Sequence, residues 1–370
     1  MAIGKVTLET YFLYNFILVN CAIFSFIAEK IKNINLELLS RTVVFLTLTI
    51  PASLRYYTGT DYGSYVRMFS YDNYLESKEI LWVWLNRFVQ FLDLDVQWVF
   101  VFSAILIYFP LCFKIKKKFY FISIVLYIIL SFYFKSYNTV RQMISISFIL
   151  WAFICYEDKK FIQMILLYII SIGFHSSAII LFPLFICSFI NFSFKIKFLP
   201  LILFILLMFI VLNINLVELM FKAFDFLNLK YLSYKNSTMY LSERPSGSGF
   251  LGVFIRTGFI FLLIISYANI VKKFPSKLNV LNLSIMYLIA YILCEKITIF
   301  DRIRDLLSFS VILIAGSIFY CCGQYKRIIF IFFIVLNIIV FEITIKNQNK
   351  QTYSNQIYPY YSIFYKGEMK

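Results

Sequence analysis

The chain has 370 residues, 61% of them hydrophobic, with a mean hydropathy of +0.81 and a formal net charge of +16. No soluble domain needs that much apolar surface, and repeated apolar runs of about 18 residues are the signature of transmembrane helices. The basic residues are scattered over short loops, which argues against a nucleic-acid surface and for charges that orient a protein in a bilayer.

Hydropathy windows predict an all-α fold, a polytopic integral membrane helical bundle of about 12 (11–14) transmembrane helices, with residues 1–370 as a single transmembrane domain. The predicted spans are 10–28, 40–54, 96–113, 119–134, 140–156, 161–174, 177–190, 198–221, 249–270, 279–296, 306–322 and 328–346. The first run lacks a small-residue cleavage site and reads as a retained helix. Segment 79–92 is apolar but interrupted by Asn86, Arg87 and Gln90, so it reads as an interfacial amphipathic helix or an extra span. The seven cysteines fall in or beside apolar runs without metal-ligand or disulfide spacing, and read as packing residues.

Lysines and arginines recur in every second loop: Lys30 and Lys32; Lys114 and Lys116–Lys118; Lys159 and Lys160; Lys195 and Lys197; Lys272, Lys273 and Lys277; Lys326 and Arg327. The positive-inside rule places these in the cytoplasm and both termini outside. The opposite loops, 55–95 and 222–248, and a tail from 347 are longer, and they hold the residue mixtures that chemistry uses.

The first of these loops opens with Arg55-Tyr-Tyr-Thr-Gly-Thr-Asp61-Tyr62-Gly-Ser-Tyr65 and continues to Arg67. It sets a guanidinium, a carboxylate and several phenols at a membrane surface. Arg141, followed by Gln142, starts a span. An arginine there ordinarily snorkels to the headgroups, but its planar fork also fits phosphate oxygens. His175 is the single histidine of the chain and sits in Phe-His-Ser-Ser-Ala where two short apolar runs meet. An imidazole at such a polar break can hold or accept a proton near neutrality. Arg244 follows Glu243 in the 222–248 loop. Arg302 and Arg304, flanked by Asp301 and Asp305, do not share a helical face, so joint action on one anion calls for an irregular segment near Phe300. No metal-binding carboxylate pair, Walker loop or nucleophile elbow is visible.

Taken in order, the run at 55–65, Arg141-Gln142, Phe-His-Ser-Ser-Ala at 174–178, Asp-Arg-x-Arg at 301–304 and Tyr-Pro-Tyr-Tyr at 358–361 resemble the EpsG-like branch of the Wzy-type bacterial polysaccharide polymerases. The resemblance implies a glycosyltransferase of the bacterial plasma (inner) membrane. It would join oligosaccharide repeat units carried on undecaprenyl pyrophosphate, with its active site facing the periplasm or exterior. It implies no cofactor and no metal, with arginines stabilising the pyrophosphate leaving group. The implied partners are the lipid-linked donor and acceptor, the bilayer and a chain-length regulator, without nucleic acid. On this reading His175 and Asp61 are the catalytic candidates. Arg55, Tyr62, Tyr65, Arg67, Arg141, Gln142, Arg244, Asp301, Arg302 and Arg304 bind pyrophosphate or sugar. The rival readings are a lipid-linked oligosaccharide flippase, an O-antigen-type ligase and a membrane acyltransferase. The flippase fits less well, because a transporter needs polar groups facing both sides in turn.

Overall fold

The computed structural model describes residues 2–190, 206, 249–295, 300–347 and 356–366, and all helices and loops below lie within them. Their regular structure is helical. The chain divides into two compact units, Met1–Ile179 with Ile334–Lys370, and Ile180–Phe333.

The first unit begins with α1 (Ala2–Lys30) and α2 (Ile34–Leu54). Three residues join them, and Asn33 caps α2 by accepting the amides of Asn35 and Leu36. After the loop come α3 (Tyr62–Ser70), α4 (Ile80–Phe91) and α5 (Gln97–Phe113). Then follow α6 (Tyr120–Ile129), α7 (Val140–Glu157) and α8 (Phe161–Phe174). α1 packs on α2 and α6, α2 on α5, α5 on α7, and α7 on α8. Almost every residue from Phe119 to Cys155 is buried, so α6 and α7 form the centre of this unit. By contrast, α8 presents Ile162, Ile165, Leu166 and Ile169 outward, an apolar face suited to lipid.

The helix ends sort by chemistry. One pole holds the end of α1, the start of α2, the end of α5 and the end of α7. There Lys117 pairs with Glu37 at 2.7 Å, Arg41 donates to the carbonyl of Cys112 at 2.8 Å, and Lys116 reaches Asp158 at 2.9 Å. The other pole holds the end of α2, the starts of α3, α4, α5 and α7, and the end of α8. The tail from Gln356 to Ser362 packs at this second pole. Tyr360 N–H donates to Thr10 Oγ1 at 2.8 Å, and the Tyr14 hydroxyl donates to the Ile357 carbonyl at 2.6 Å.

The second unit contains α9 (Leu181–Cys187), α10 (Gly249–Ile265), α11 (Leu278–Leu293) and α12 (Phe300–Ile314). α11 and α12 are its main pair. Asn279 and Asn282 of α11 fasten the end of α9 by donating to the Ser188 hydroxyl and carbonyl at 2.8 and 2.6 Å. A last helix, α13 (Gln324–Asn347), runs through the boundary between the two units.

Six helices are long and apolar enough to cross a membrane, rising to eight if two bent pairs each count as one span. The sequence expectation was about twelve. Its segment 198–221 lies outside the described residues, as do loop 222–248 and Arg244. The other differences have local causes. Segments 96–113 and 119–134 form a pair bent by 100°, and the second stops at Ser131, whose φ of 66° breaks the helix. Residues 161–174 and 177–190 are helical but short. The interrupted segment 79–92 is a helix, α4, with Asn86 and Trp82 buried and Trp84 and Phe91 exposed. Of the seven cysteines, five are buried, while Cys187 is exposed and Cys321 intermediate.

Candidate functional site

The polar pole of the first unit is built outward from Arg55, which ends α2. Its side chain is 2% exposed. The guanidinium lies over the rings of Phe100 and Tyr137, each 4.8 Å away. Its one hydrogen bond runs to the Ser136 carbonyl at a long 3.4 Å, and Nε has no partner. Burial pushes this guanidinium down from its ordinary pKa, with the surrounding tyrosines opposing. A buried cation without a carboxylate is costly, and cation–π contacts offset only about 0.5–2 kcal/mol each. The sequence therefore places an uncompensated positive charge beneath the loop that follows it.

That loop is tied down from two directions. Thr60 Oγ1 donates to Asn138 Oδ1 at 3.0 Å, and the Tyr65 hydroxyl donates to the Asn138 carbonyl at 2.9 Å. From the tail, the Tyr361 carbonyl accepts Tyr56 N–H at 2.7 Å, and the Gln356 carbonyl accepts Gly59 N–H at 2.8 Å. Two motifs 303 residues apart, around Thr58 and Tyr361, thus form one structure. Gly59 is required there. Its φ is +102°, and a Cβ would stand 2.8 Å from the Tyr137 carbonyl and 2.9 Å from Asn138 Oδ1. Gly59→Ala should therefore cost about 1–3 kcal/mol. The check is a lowered thermal midpoint in detergent, against an unchanged midpoint for Gly63→Ala, where a Cβ meets nothing within 4 Å.

Tyr62 and Tyr65 are buried in α3. Tyr62 stacks on Phe100 with centroids 4.7 Å apart, and Tyr65 meets Trp82 edge-on at 5.3 Å. Burial pushes the Tyr65 phenol up to about 12, with nearby Arg141 and Arg55 pulling the other way and Asp61 adding to the rise. It remains a hydrogen-bond donor throughout the physiological range. Asp61 precedes α3, and its backbone carbonyl accepts the amides of Ser64 and Tyr65 at 3.0 and 3.1 Å.

The open part of the pole centres on a residue that sequence reasoning did not assign to the site, Glu79. Its carboxylate pairs with Arg141 Nη1 through Oε2. Its Oε1 accepts both Ser176 N–H at 3.1 Å and the Ser176 hydroxyl at 3.2 Å. Glu79 so fastens the start of α7 to the loop that follows α8. Burial works against its charge, but Arg141, amide hydrogen bonds and His175 outweigh it and hold the carboxyl below the usual range. With a depressed pKa, its stabilisation is fully present above the ordinary carboxylate value of about 4.3 and is lost as pH falls through the depressed one. The link is intact at neutral pH. The clue in the sequence was only an acid just before a helix, which is also an ordinary helix-start signal.

Arg141 Nε is buried without a partner, and the side chain as a whole is 19% exposed. Gln142, beside it, is buried. His175 ends α8 in extended backbone and is half-buried. Its Nδ1 stands 2.7 Å from Ser177 Oγ and 3.2 Å from Ser177 N. Donation of Nδ1–H to Oγ puts the ring's basic lone pair on Nε2. Acceptance at Nδ1 instead makes Nε2 a donor.

Other sequence candidates fall elsewhere. Arg67 is exposed and reaches Ser64 Oγ at 3.4 Å. In the second unit, Asp301, Arg302 and Arg304 occupy the first turns of helix α12, which begins at Phe300, the position near which a helix break was expected. Arg302 faces outward, while Arg304 is buried, pairing with Asp301 at 2.9 Å and Asp305 at 3.0 Å over the ring of Tyr291. The two forks are therefore not presented side by side. Arg256, in α10, shares the electrostatic surroundings of Arg304, Tyr287 and Tyr291 and went unnoticed as one basic residue within an apolar run. Among the described residues, no three His, Cys, Asp or Glu side chains gather to hold a metal ion.

No curated protein sequence and no solved structure matches the chain. A family model does, described as the EpsG family and covering residues 38–362. The matched region includes both parts of the polar pole, from the Arg55 loop to the Tyr361 strap. With that coverage and a bundle of apolar helices, the chain belongs to the EpsG family, the family of Wzy-type polysaccharide polymerase-like proteins.

Proposed function

We propose that the protein polymerises undecaprenyl-pyrophosphate-linked oligosaccharide repeat units on the outer face of the plasma membrane, without a metal. The observation that carries this reading is the link from Arg141 through Glu79 to Ser176. It brings a partly exposed guanidinium and the chain's single histidine to one pole. Family membership supplies the reaction class. An acceptor hydroxyl attacks the anomeric carbon of the donor sugar, and the bond to pyrophosphate breaks with its electron pair going to the phosphate oxygen. The hydroxyl proton passes to His175 or, failing that, Asp61. Arg141 receives the developing charge by donating hydrogen bonds. Arg55, buried behind it, adds a fixed positive field in a low-dielectric setting. Gln142 holds a sugar hydroxyl. Tyr62 and Tyr65 shape the floor of the site.

In this proposal Arg67 meets the substrate at the surface, and Arg244, Asp301, Arg302 and Arg304 are further candidate ligands for pyrophosphate or sugar. The short helices and segment 198–221 complete about twelve spans, and a chain-length regulator acts as partner. The outward orientation is supported by the sorting of the poles, lysines at one and the candidate chemistry at the other. Purified protein in liposomes given lipid-linked repeat units should yield polymer ladders with chelator present and no nucleotide sugar added. In cells, a cysteine placed at Tyr57, which is 59% exposed, should react with an impermeant thiol reagent, and one at Lys118 should not. Absence of polymer, or the reverse labelling pattern, overturns the reading.

A further inference from the structure

A groove of about 560 Å³ lies at the lysine pole of the first unit, bounded by α5, α7 and α8. Its apolar wall includes Leu166 and Ile170 and is continuous with the outward face of α8. Its mouth carries Lys114 and Lys160. Neither makes an ion pair. Lys114 Nζ sits over the rings of Trp151 and Phe109, 4.5 and 5.2 Å from their centroids, and Lys160 is exposed. The carboxylate that lines the groove, Asp158, shares Lys116 with Glu157, at 2.9 and 3.2 Å. Across this cluster three lysines face two carboxylates, and the result is an apolar slot headed by two ammonium groups that make no ion pair.

We infer that this groove binds an anionic phospholipid, its phosphate between Lys114 and Lys160 and an acyl chain along Leu166 and Ile170. Charge complementarity selects the headgroup, because the cluster keeps a net positive charge and a phosphate at the mouth can pair with both Lys114 and Lys160. Basic pockets between helix ends at a bilayer surface are suited to such headgroups, each lysine adding about fivefold in affinity. The apolar wall selects a lipid over a free phosphate ester. The site lies at the opposite pole from the proposed reaction centre and does not depend on that proposal.

The test is native mass spectrometry of the full chain in detergent, titrated with dioleoyl phosphatidylglycerol or dioleoyl phosphatidylcholine. The anionic lipid should bind at least about tenfold more tightly. Lys114→Gln with Lys160→Gln should remove that preference, while Lys32→Gln, in the neighbouring α1–α2 loop, should leave it. Ile170→Trp, which fills the slot and keeps both charges, should lower occupancy by the anionic lipid as well, so the inference does not rest on one double variant. Equal affinity for the two lipids, retention of the preference in the double variant, or unchanged occupancy in Ile170→Trp would overturn it. So would displacement of the lipid by an equal concentration of glycerol 3-phosphate, which marks a free-anion site.

Discussion

Arg141→Ala is expected to lower the rate of polymer formation by roughly 10²–10³, the usual effect of removing one charge-assisted donor from a site of developing negative charge. The change also leaves the Glu79 carboxylate half-buried without its cation, so part of the loss could reflect a shifted Ser176 loop. Two further variants separate these effects. Arg141→Lys restores a charge for Glu79 but offers a point charge in place of a fork, so it should restore thermal stability and only a small part of the rate. Glu79→Gln keeps hydrogen bonding to Ser176 and should cost less than either arginine change. If Arg141→Lys recovers full rate and chain length, Arg141 serves only as the counter-ion of Glu79. The readouts are single-turnover polymer formation and the detergent melting midpoint.

His175→Ala should lower turnover by roughly 10²–10⁴ if the imidazole takes the acceptor proton. The contacts of Nδ1 sharpen the test. Proton acceptance at Nε2 requires Nδ1–H to be donated to Ser177 Oγ, 2.7 Å away. Ser177→Ala removes that acceptor and favours the other tautomer, in which Nδ1 accepts the Ser177 amide. A base role therefore predicts a marked loss in Ser177→Ala and an acid limb in the pH–rate profile that His175→Gln abolishes. An orienting role predicts that His175→Gln keeps much of the rate and that Ser177→Ala matters little. Unchanged rate and pH profile in His175→Ala would remove the histidine from the chemistry and leave Asp61 as the base to test.

The apolar runs made helices legible because the bilayer leaves few other ways to satisfy a backbone. Hydropathy could not show where helices bend or stop. Ser131 ends α6 through its own backbone angle, and the serine at 266 marks another bend, yet both residues occur unremarked in other helices. The site was legible at the level of motifs. Arg55, Tyr65, Arg141 and His175 were named from local residue mixtures, and the fold carries all four to one pole. What joins them was not legible. Glu79 works through contacts with residues 62 and 97 positions away. Nor could the sequence show that Arg55 is enclosed while Arg141 is partly exposed. Of Arg302 and Arg304, the second is buried and pairs with carboxylates one and three residues away on its own helix, which spacing alone did not reveal.

The strap formed by residues 356–362 sets a schedule for biogenesis. Arg55 and its loop emerge early and pass into the membrane with α2. Their hydrogen-bonding partners at Gln356 and Tyr361 are translated some three hundred residues later. Until then the Tyr56 and Gly59 amides lack those carbonyls. A chain cut after α13 would still insert its helices and withstand routine checks of expression and localisation, yet its first loop would be unfinished. The ribosome thus supplies the strap only after the last helix, and the closure of a very long loop is left as a late step of maturation.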